Sequence, residues 1–189
     1  QIAEKYNLTV IYDAAHCFGV TLNGKSIFKY GDMSTCSFHA TKLFHTAEGG
    51  AIFCDSPSLF QKLQYSANFG HSGYYEYTGT GINAKMSEIH AAMGLCVLPH
   101  INNLVEERKR IIERYKKKLS LEYLRLLRIR EGTEWNYSYF PVIFESEITL
   151  MKCIEYLNSN DVFPRRYFYP SLNNVEYLSG QKMPISESI

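Results

Sequence analysis

An amine, a carboxylate, an imidazole and a hydroxyl, drawn from two short segments, are the groups in this sequence best placed to act together. Lys42 closes the run Ser37-Phe38-His39-Ala40-Thr41-Lys42 and is soon followed by Glu48-Gly49-Gly50. Upstream, Tyr12-Asp13-Ala14-Ala15-His16 ends a short apolar run. A lysine on a tight, partly apolar loop can attack a carbonyl. A carboxylate beside a heterocycle can hold its ring nitrogen protonated and so turn the ring into an electron sink. An imidazole three residues after that carboxylate can reach the same ligand, and a serine hydroxyl can donate to a phosphate. Together these four groups are what a pyridoxal phosphate site requires.

Each group also has a plainer reading. Lys42 taken alone is an ordinary solvated lysine. Asp13 could cap the turn or helix that Ala14-Ala15-His16 would begin. His16 could be a satisfied interior histidine, and Ser37 a strand hydroxyl bonded to nearby backbone. Asp13→Asn separates two of these readings, since an amide can still cap but cannot hold a ring nitrogen protonated.

The elements that must position these groups follow from hydropathy pattern. Residues 8–12 read as a buried parallel strand, which puts Asp13 at its carboxyl end, the edge where open α/β sheets bind ligands. Further strands are expected over 34–38 and 51–54, with Gly49-Gly50 at the turn. A helix is expected over 57–65, capped by Asp55 or Ser56 with Pro57 in its first turn. Residues 70–83, rich in Gly, Tyr and Thr, read as a long functional loop. Met86, Ile89, Met93 and Val97 recur at helical spacing and predict a buried face. Pro99 interrupts that pattern. A longer helix follows, with Leu104, Ile111, Ile112, Tyr115 and Leu119 on one side. Beyond Ser120 the order is strand 121–130, strand 137–144, helix 148–157 and strand 162–169, which suggests a small α+β unit.

Composition narrows the class. The 189 residues are 46% hydrophobic and 14% aromatic, enough for a sizeable core in one large domain or a domain plus an appendage. Basic and acidic residues number 20 and 19, a net charge of +1, so nothing marks a nucleic-acid surface. No apolar stretch is long enough to span a bilayer. Cys17, Cys36, Cys54, Cys96 and Cys153 are odd in number and form no Cys-x-x-Cys pair, which reads as reduced core thiols in a cytoplasmic protein. Asn7-Leu8-Thr9 and Asn136-Tyr137-Ser138 match the glycosylation triplet, a pattern that also arises by chance. Gln1 stands where the tail of an amphipathic helix would run into a strand, so the chain reads as a fragment lacking a preceding portion.

Several segments resemble one known family. Asp13-Ala14-Ala15-His16, Ser37-Phe38-His39-Ala40-Thr41-Lys42, Glu48-Gly49-Gly50, Gly81-Ile82-Asn83-Ala84-Lys85-Met86-Ser87-Glu88 and Ala91-Ala92-Met93-Gly94 are similar to the DegT/DnrJ/EryC1/StrS family of pyridoxal phosphate-dependent sugar aminotransferases. The likeness runs from about Val10 to Tyr115 and returns faintly at Arg165-Arg166-Tyr167-Phe168-Tyr169-Pro170. It implies an α/β fold: residues 1–100 as the C-terminal part of a fold type I large domain with a mostly parallel sheet, and residues 101–189 as a linking helix and a small α+β domain. It implies Lys42 as the amine that bonds to the cofactor and moves a proton between carbons. Asp13 would pair with the pyridine nitrogen, His16 would lie against the ring, and Ser37 would bind the phosphate. Asn83 would reach the phosphate of a neighbouring subunit, hence a homodimer with shared active sites.

The reaction so implied moves an amino group, with glutamate as donor, to a nucleotide-linked keto-deoxysugar. A dehydratase branch of the family carries histidine at the lysine position. Lys42 therefore favours transamination. In the family, a portion before the present Gln1 supplies further phosphate donors and a stacking ring, so these residues alone are expected to bind pyridoxal phosphate poorly and to be inactive. A non-catalytic pyridoxal phosphate-binding or regulatory domain is the rival from another class. Gly79-Thr80-Gly81-Ile82-Asn83-Ala84 fits the loose dinucleotide pattern, but Tyr74-Tyr75-Glu76-Tyr77-Thr78 makes a poor preceding strand. His16, Cys17, His39 and His45 fit no standard zinc spacing, so no metal is expected.

Overall fold

A computed structural model describes residues 1–178 and 180–188. The chain divides into two compact units, Gln1–Lys117 with Arg128–Tyr139, and Lys118–Leu127 with Phe140–Ile189.

The first unit opens with the short helix α1 (Ile2–Tyr6) and strand β1 (Ile11–Asp13). A hairpin of β2 (Thr21–Leu22) and β3 (Lys25–Ser26) comes next, then β4 (Met33–Ser37) and β5 (Gly50–Phe53). The main sheet has the order β1-β4-β5. β1 and β4 run parallel, with Asp13 opposite Thr35, and the Ala14 N–H extends the pairing to the Thr35 carbonyl. β4 and β5 run antiparallel. The sheet is thus mixed where a mostly parallel one was expected. The reason lies in residues 38–49, which form no helix and so cannot make the crossover that parallel strands need.

β1 also departs from expectation. All three of its residues are exposed, and so is Leu8, because β1 is an edge strand here, paired with β4 alone. The core gathers instead beneath the carboxyl ends of β1 and β4. Ala14, Cys36, Leu43 and Phe44 are buried there. Phe18 stacks on Phe44 at 4.4 Å between ring centres, and Phe38 meets Phe44 edge-on at 4.9 Å. One ring comes from the turn after β1, one from the end of β4 and one from the loop after it, so the three segments share a single aromatic platform.

Helix α2 (Pro57–Ala67) begins as its sequence dictates, with the Ser56 hydroxyl accepting from the Leu59 N–H and Pro57 in the first turn. Residues 68–87 form the irregular loop expected, tied by bridges between Asn68 and Asn83 and between His71 and Tyr77. No strand runs up to Gly79 and no helix opens at Ala84, the next helix starting only at Glu88, so the dinucleotide pattern lacks its setting. Helix α3 (Glu88–Val97), capped by Ser87, passes through a 3-10 turn containing Pro99 into α4 (Ile101–Lys118).

The faces of these helices differ from the periodicity reading. Met86, Ile89 and Met93 are exposed, and α3 is buried at Gly94. A Cβ there would lie 2.9 Å from Thr46 Cγ2, so α3 packs through its smallest residue against the Lys42 loop. On α4, Ile101 and Ile112 are buried while Leu104, Ile111 and Tyr115 are exposed.

In the second unit β6 (Leu124–Leu126) pairs antiparallel with a later strand. The chain returns to the first unit through β7 (Thr133–Glu134), which pairs with β2, then enters the second unit again at β8 (Val142–Phe144), the partner of β6. Helix α5 (Glu147–Asn158) follows, capped by Ser146. Residues 162–169 form no strand. Pro164 lies inside that run and cannot donate to a ladder.

Candidate active site

Asp13 ends β1 at the carboxyl edge of the sheet, where β1 stops and a turn begins. Its Oδ1 accepts from the Ala15 N–H at 3.1 Å, so the turn-capping reading holds for one oxygen and leaves the other uncommitted to that turn. The same turn presents His16, whose Nε2 lies 2.8 Å from the Lys42 Nζ. Lys42 is half-buried on a loop with strong closures. Its N–H donates to the His39 carbonyl, the Thr46 N–H donates to the Phe38 carbonyl, and the buried Thr46 hydroxyl donates to the Glu48 carbonyl at 2.7 Å. Gly49 completes the loop, because any Cβ there would collide with the Thr46 hydroxyl and approach Met86 to 2.7 Å.

Burial holds the His16 imidazole below its ordinary 6.5, Lys42 pushes it further down, and Asp13 opposes both. His16 is therefore neutral near pH 7, and its Nε2 accepts from the Lys42 amine. Burial and then Asp13 push the Cys17 thiol up, while burial pushes Cys36 to about 11. Both thiols stay protonated and unreactive beside the site.

Ser37 ends β4, and its Oγ accepts from the His39 N–H at 3.3 Å. An oxygen used as acceptor still has its O–H to give. The His39 ring sits against Thr41, 2.9 Å from Nδ1 to Oγ1, with Glu48 3.7 Å from Nε2. Asp13, His16, Ser37 and Lys42 thus share one edge of the sheet and its adjoining loops. Asn83 is held elsewhere, with its backbone bridged to Asn68 and its Oδ1 accepting from Lys85 Nζ at 2.6 Å.

Two further residues escaped the sequence reading. Tyr139 packs on the His16 ring at 4.7 Å between centres, tilted by 34°. Asn136 is buried, 3% exposed, and its amide donates to the carbonyls of His16 and Phe18 at 2.9 and 2.8 Å. With both amide hydrogens engaged, the glycosylation triplet at Asn136 is unavailable in the folded protein. Asn23-Gly24, both at positive φ, is a hairpin signal flanked by β2 and β3 that could have located the strand lying next to β7. Nothing in the sequence tied Asn136 itself to His16.

All five cysteines are unpaired, and Cys96 is exposed, not a core thiol. Among the described residues no group of three His, Cys, Asp or Glu side chains could hold a metal ion, and no helix is long and apolar enough to cross a membrane.

Sheet, loop and helices together have the α/β architecture of aminotransferases of known structure. The crystal structure of DesI with its TDP-sugar product superposes with a TM-score of 0.88 at 30% identity, over 99% of this chain and 50% of that one. The PLP form of the putative sugar aminotransferase Spr1654 from Streptococcus pneumoniae superposes with a TM-score of 0.78 at 25% identity, over 90% of this chain and 46% of that one. The chain belongs to the DegT/DnrJ/EryC1/StrS aminotransferase family, whose model matches residues 1–189. A dTDP-4-amino-4,6-dideoxy-D-glucose transaminase of Shigella dysenteriae is 43% identical over 172 residues, 89% of this chain and 47% of that protein. The chain spans about half the length of the curated relatives it matches.

Proposed function

We propose that this chain carries the lysine half of a pyridoxal phosphate-dependent aminotransferase that aminates a nucleotide-linked keto-deoxysugar. The observation that carries the reading is the 2.8 Å contact between Lys42 Nζ and a neutral His16 Nε2 at the carboxyl edge of the sheet.

The donor set fits the cofactor group by group. Lys42 offers a primary amine to an aldehyde. Asp13, with one oxygen on the Ala15 N–H, keeps another for a protonated ring nitrogen. Ser37, whose oxygen already accepts from His39, has its hydroxyl hydrogen free for a phosphate oxygen. When bound, pyridoxal phosphate supplies an electron sink that stabilises charge on the carbon losing its proton.

The work left to the chain is placement and proton movement. His16 Nε2 holds one N–H of the Lys42 amine, which fixes the direction of the remaining valences at Nζ. Lys42 Nζ takes the proton from the donor's carbon and later delivers one to the sugar carbon, as general base and then general acid. The aromatic platform of Phe18, Phe38 and Phe44 keeps the loop's underside dry.

The substrate proposed is a dTDP-linked 4-keto-6-deoxyhexose, with glutamate as the amino donor. The relative from Shigella dysenteriae and the sugar product bound to DesI support that choice. Asn83 is proposed to act across a homodimer in which two copies share active sites. Exposed Ile89 and Leu95 on α3 support an apolar contact of that kind. Residues 1–100 are proposed as part of the cofactor-binding large domain and 101–189 as linking helix and small domain. The compartment proposed is the cytoplasm, supported by five unpaired thiols.

The test is amino transfer by the intact enzyme from glutamate to the dTDP-keto sugar, followed by mass spectrometry. Lys42→Ala should lower the rate by about 10³-fold or more, as loss of a covalent nucleophile does. A Lys42→Ala enzyme that turns over at the wild-type rate would refute the assignment.

A further inference from the structure

We propose that Asn136 is a positioning residue for the site: its side-chain amide clamps the turn that carries His16 and so keeps His16 Nε2 in reach of Lys42 Nζ. Tyr139, three residues further on, fixes the plane of the ring. The inference rests on the roles given above to Lys42 and His16.

The clamp is chemically specific. Asn136 donates to His16 and Phe18, 120 and 118 residues away, and its Oδ1 accepts from the Ser138 N–H at 3.2 Å. Two donors and an acceptor in one plane are available from an amide; aspartate lacks the donors, serine has one, and leucine has none. Asn136 is buried and its two bonds are part-buried, so loss of the amide donors would leave two partly desolvated carbonyls without this partner.

The turn needs such a hold. Its own closures are the Cys17 N–H on the Ala14 carbonyl and the Val20 N–H on the Cys17 carbonyl, and Gly19 bends it at φ 75°. The segment bearing Asn136 is itself anchored along its length. Thr133 and Glu134 pair with Leu22 and Thr21, the Thr21 hydroxyl donates to Glu134 at 2.6 Å, and the Asn23 N–H donates to the Gly132 carbonyl at 2.7 Å. From α4, Arg108 donates to the Ser138 carbonyl at 2.9 Å. Residues 132–139 therefore form a brace beside 16–23, and Asn136 is where the brace grips the site.

The grip matters because the supported contact is short. A shift of about 1 Å stretches 2.8 Å beyond hydrogen-bond range, and misplacement of that size can cost about 10²-fold in rate.

The experiment uses the intact enzyme bearing Asn136→Asp, which keeps an acceptor for Ser138 but loses both donors, with Asn136→Ala and Tyr139→Leu beside it. Amide hydrogen exchange and the His16 ring resonances, assigned through His16→Gln, are read with and without cofactor, and kcat and KM are measured separately. For Asn136→Asp, exchange over residues 14–20 should quicken by about 10-fold or more while α2 and α3 hold their protection. The His16 ring protons should lose the shift imposed by Tyr139, and kcat should fall about 10- to 100-fold with KM within about 2-fold.

If Asn136→Asp fails to fold, Tyr139→Leu should still move the His16 resonances and kcat without quickening exchange across the unit. Unchanged His16 resonances in all variants, or exchange that rises evenly throughout, would overturn the positioning role. Exchange and resonances report the brace without turnover. Failure of the wild-type enzyme to transfer an amino group would therefore count against the functional reading and leave this one standing or falling on its own data.

Discussion

Asp13 and His16 sit three residues apart beside one turn, and each suggests its own measurement. Asp13→Asn keeps an oxygen for the Ala15 N–H, so the turn should survive with a stability change within about 1 kcal/mol, the net worth of one hydrogen bond. Amino transfer should nevertheless fall by about 100-fold or more, because an amide cannot hold a ring nitrogen protonated. Equal activity in the variant and the parent would leave Asp13 as a cap and nothing more. His16 is held below 6.5 in the folded protein by burial, then by Lys42. The unfolded chain takes up that proton more readily, so the favourable contribution is complete above about pH 6.5 and is lost as pH falls from there toward the folded value. Urea melts at pH 8 and pH 5.5 should show a smaller loss of stability on acidification for His16→Gln than for wild type; a larger loss in the variant would reverse the sign argued here.

Among the elements, α3 meets the Lys42 loop through a close glycine contact. Gly94→Ala adds a Cβ 2.9 Å from Thr46 Cγ2 and 3.4 Å from the Phe44 ring. Alanine gains about 1 kcal/mol in helix propensity, while overpacking costs about 1–3 kcal/mol, so a net loss of about 1 kcal/mol is expected in denaturant melts. A stabilised variant would show that the junction is loose. This contact also explains what the sequence did and did not disclose. Caps were legible because a Ser56-Pro57 start acts through neighbours, and α2 begins where it should. The face of α3 was not, since Met86, Ile89 and Met93 mark apolar spacing and say nothing of a glycine making the contact. Strand β4 alternates buried and half-buried residues as a central strand should, whereas β1, which continues the more apolar run from Leu8, lies exposed at an edge. Neighbours decide that difference. Removing the Ser56 cap with Ser56→Ala should cost about 1 kcal/mol, read as a lower Tm; an unchanged Tm would mean the cap is idle.

At the scale of the molecule, the chain crosses between its two units three times, and the returning stretch Arg128–Tyr139 delivers Asn136 and Tyr139 to the turn after β1. Local spacing made Asp13, His16, Ser37 and Lys42 legible, because each lies beside a strand end that its own segment defines. Asn136 and Tyr139 were not legible, since a bond across 120 residues depends on β2 pairing with β7, two strands of two residues each. The whole account turns on one amine. Borohydride reduction of the intact, cofactor-loaded enzyme, followed by proteolysis and peptide mass spectrometry, should place a single pyridoxyl group on the peptide containing Lys42 and none on that peptide in Lys42→Ala. A label on another lysine, or no label on the wild-type peptide, would contradict it.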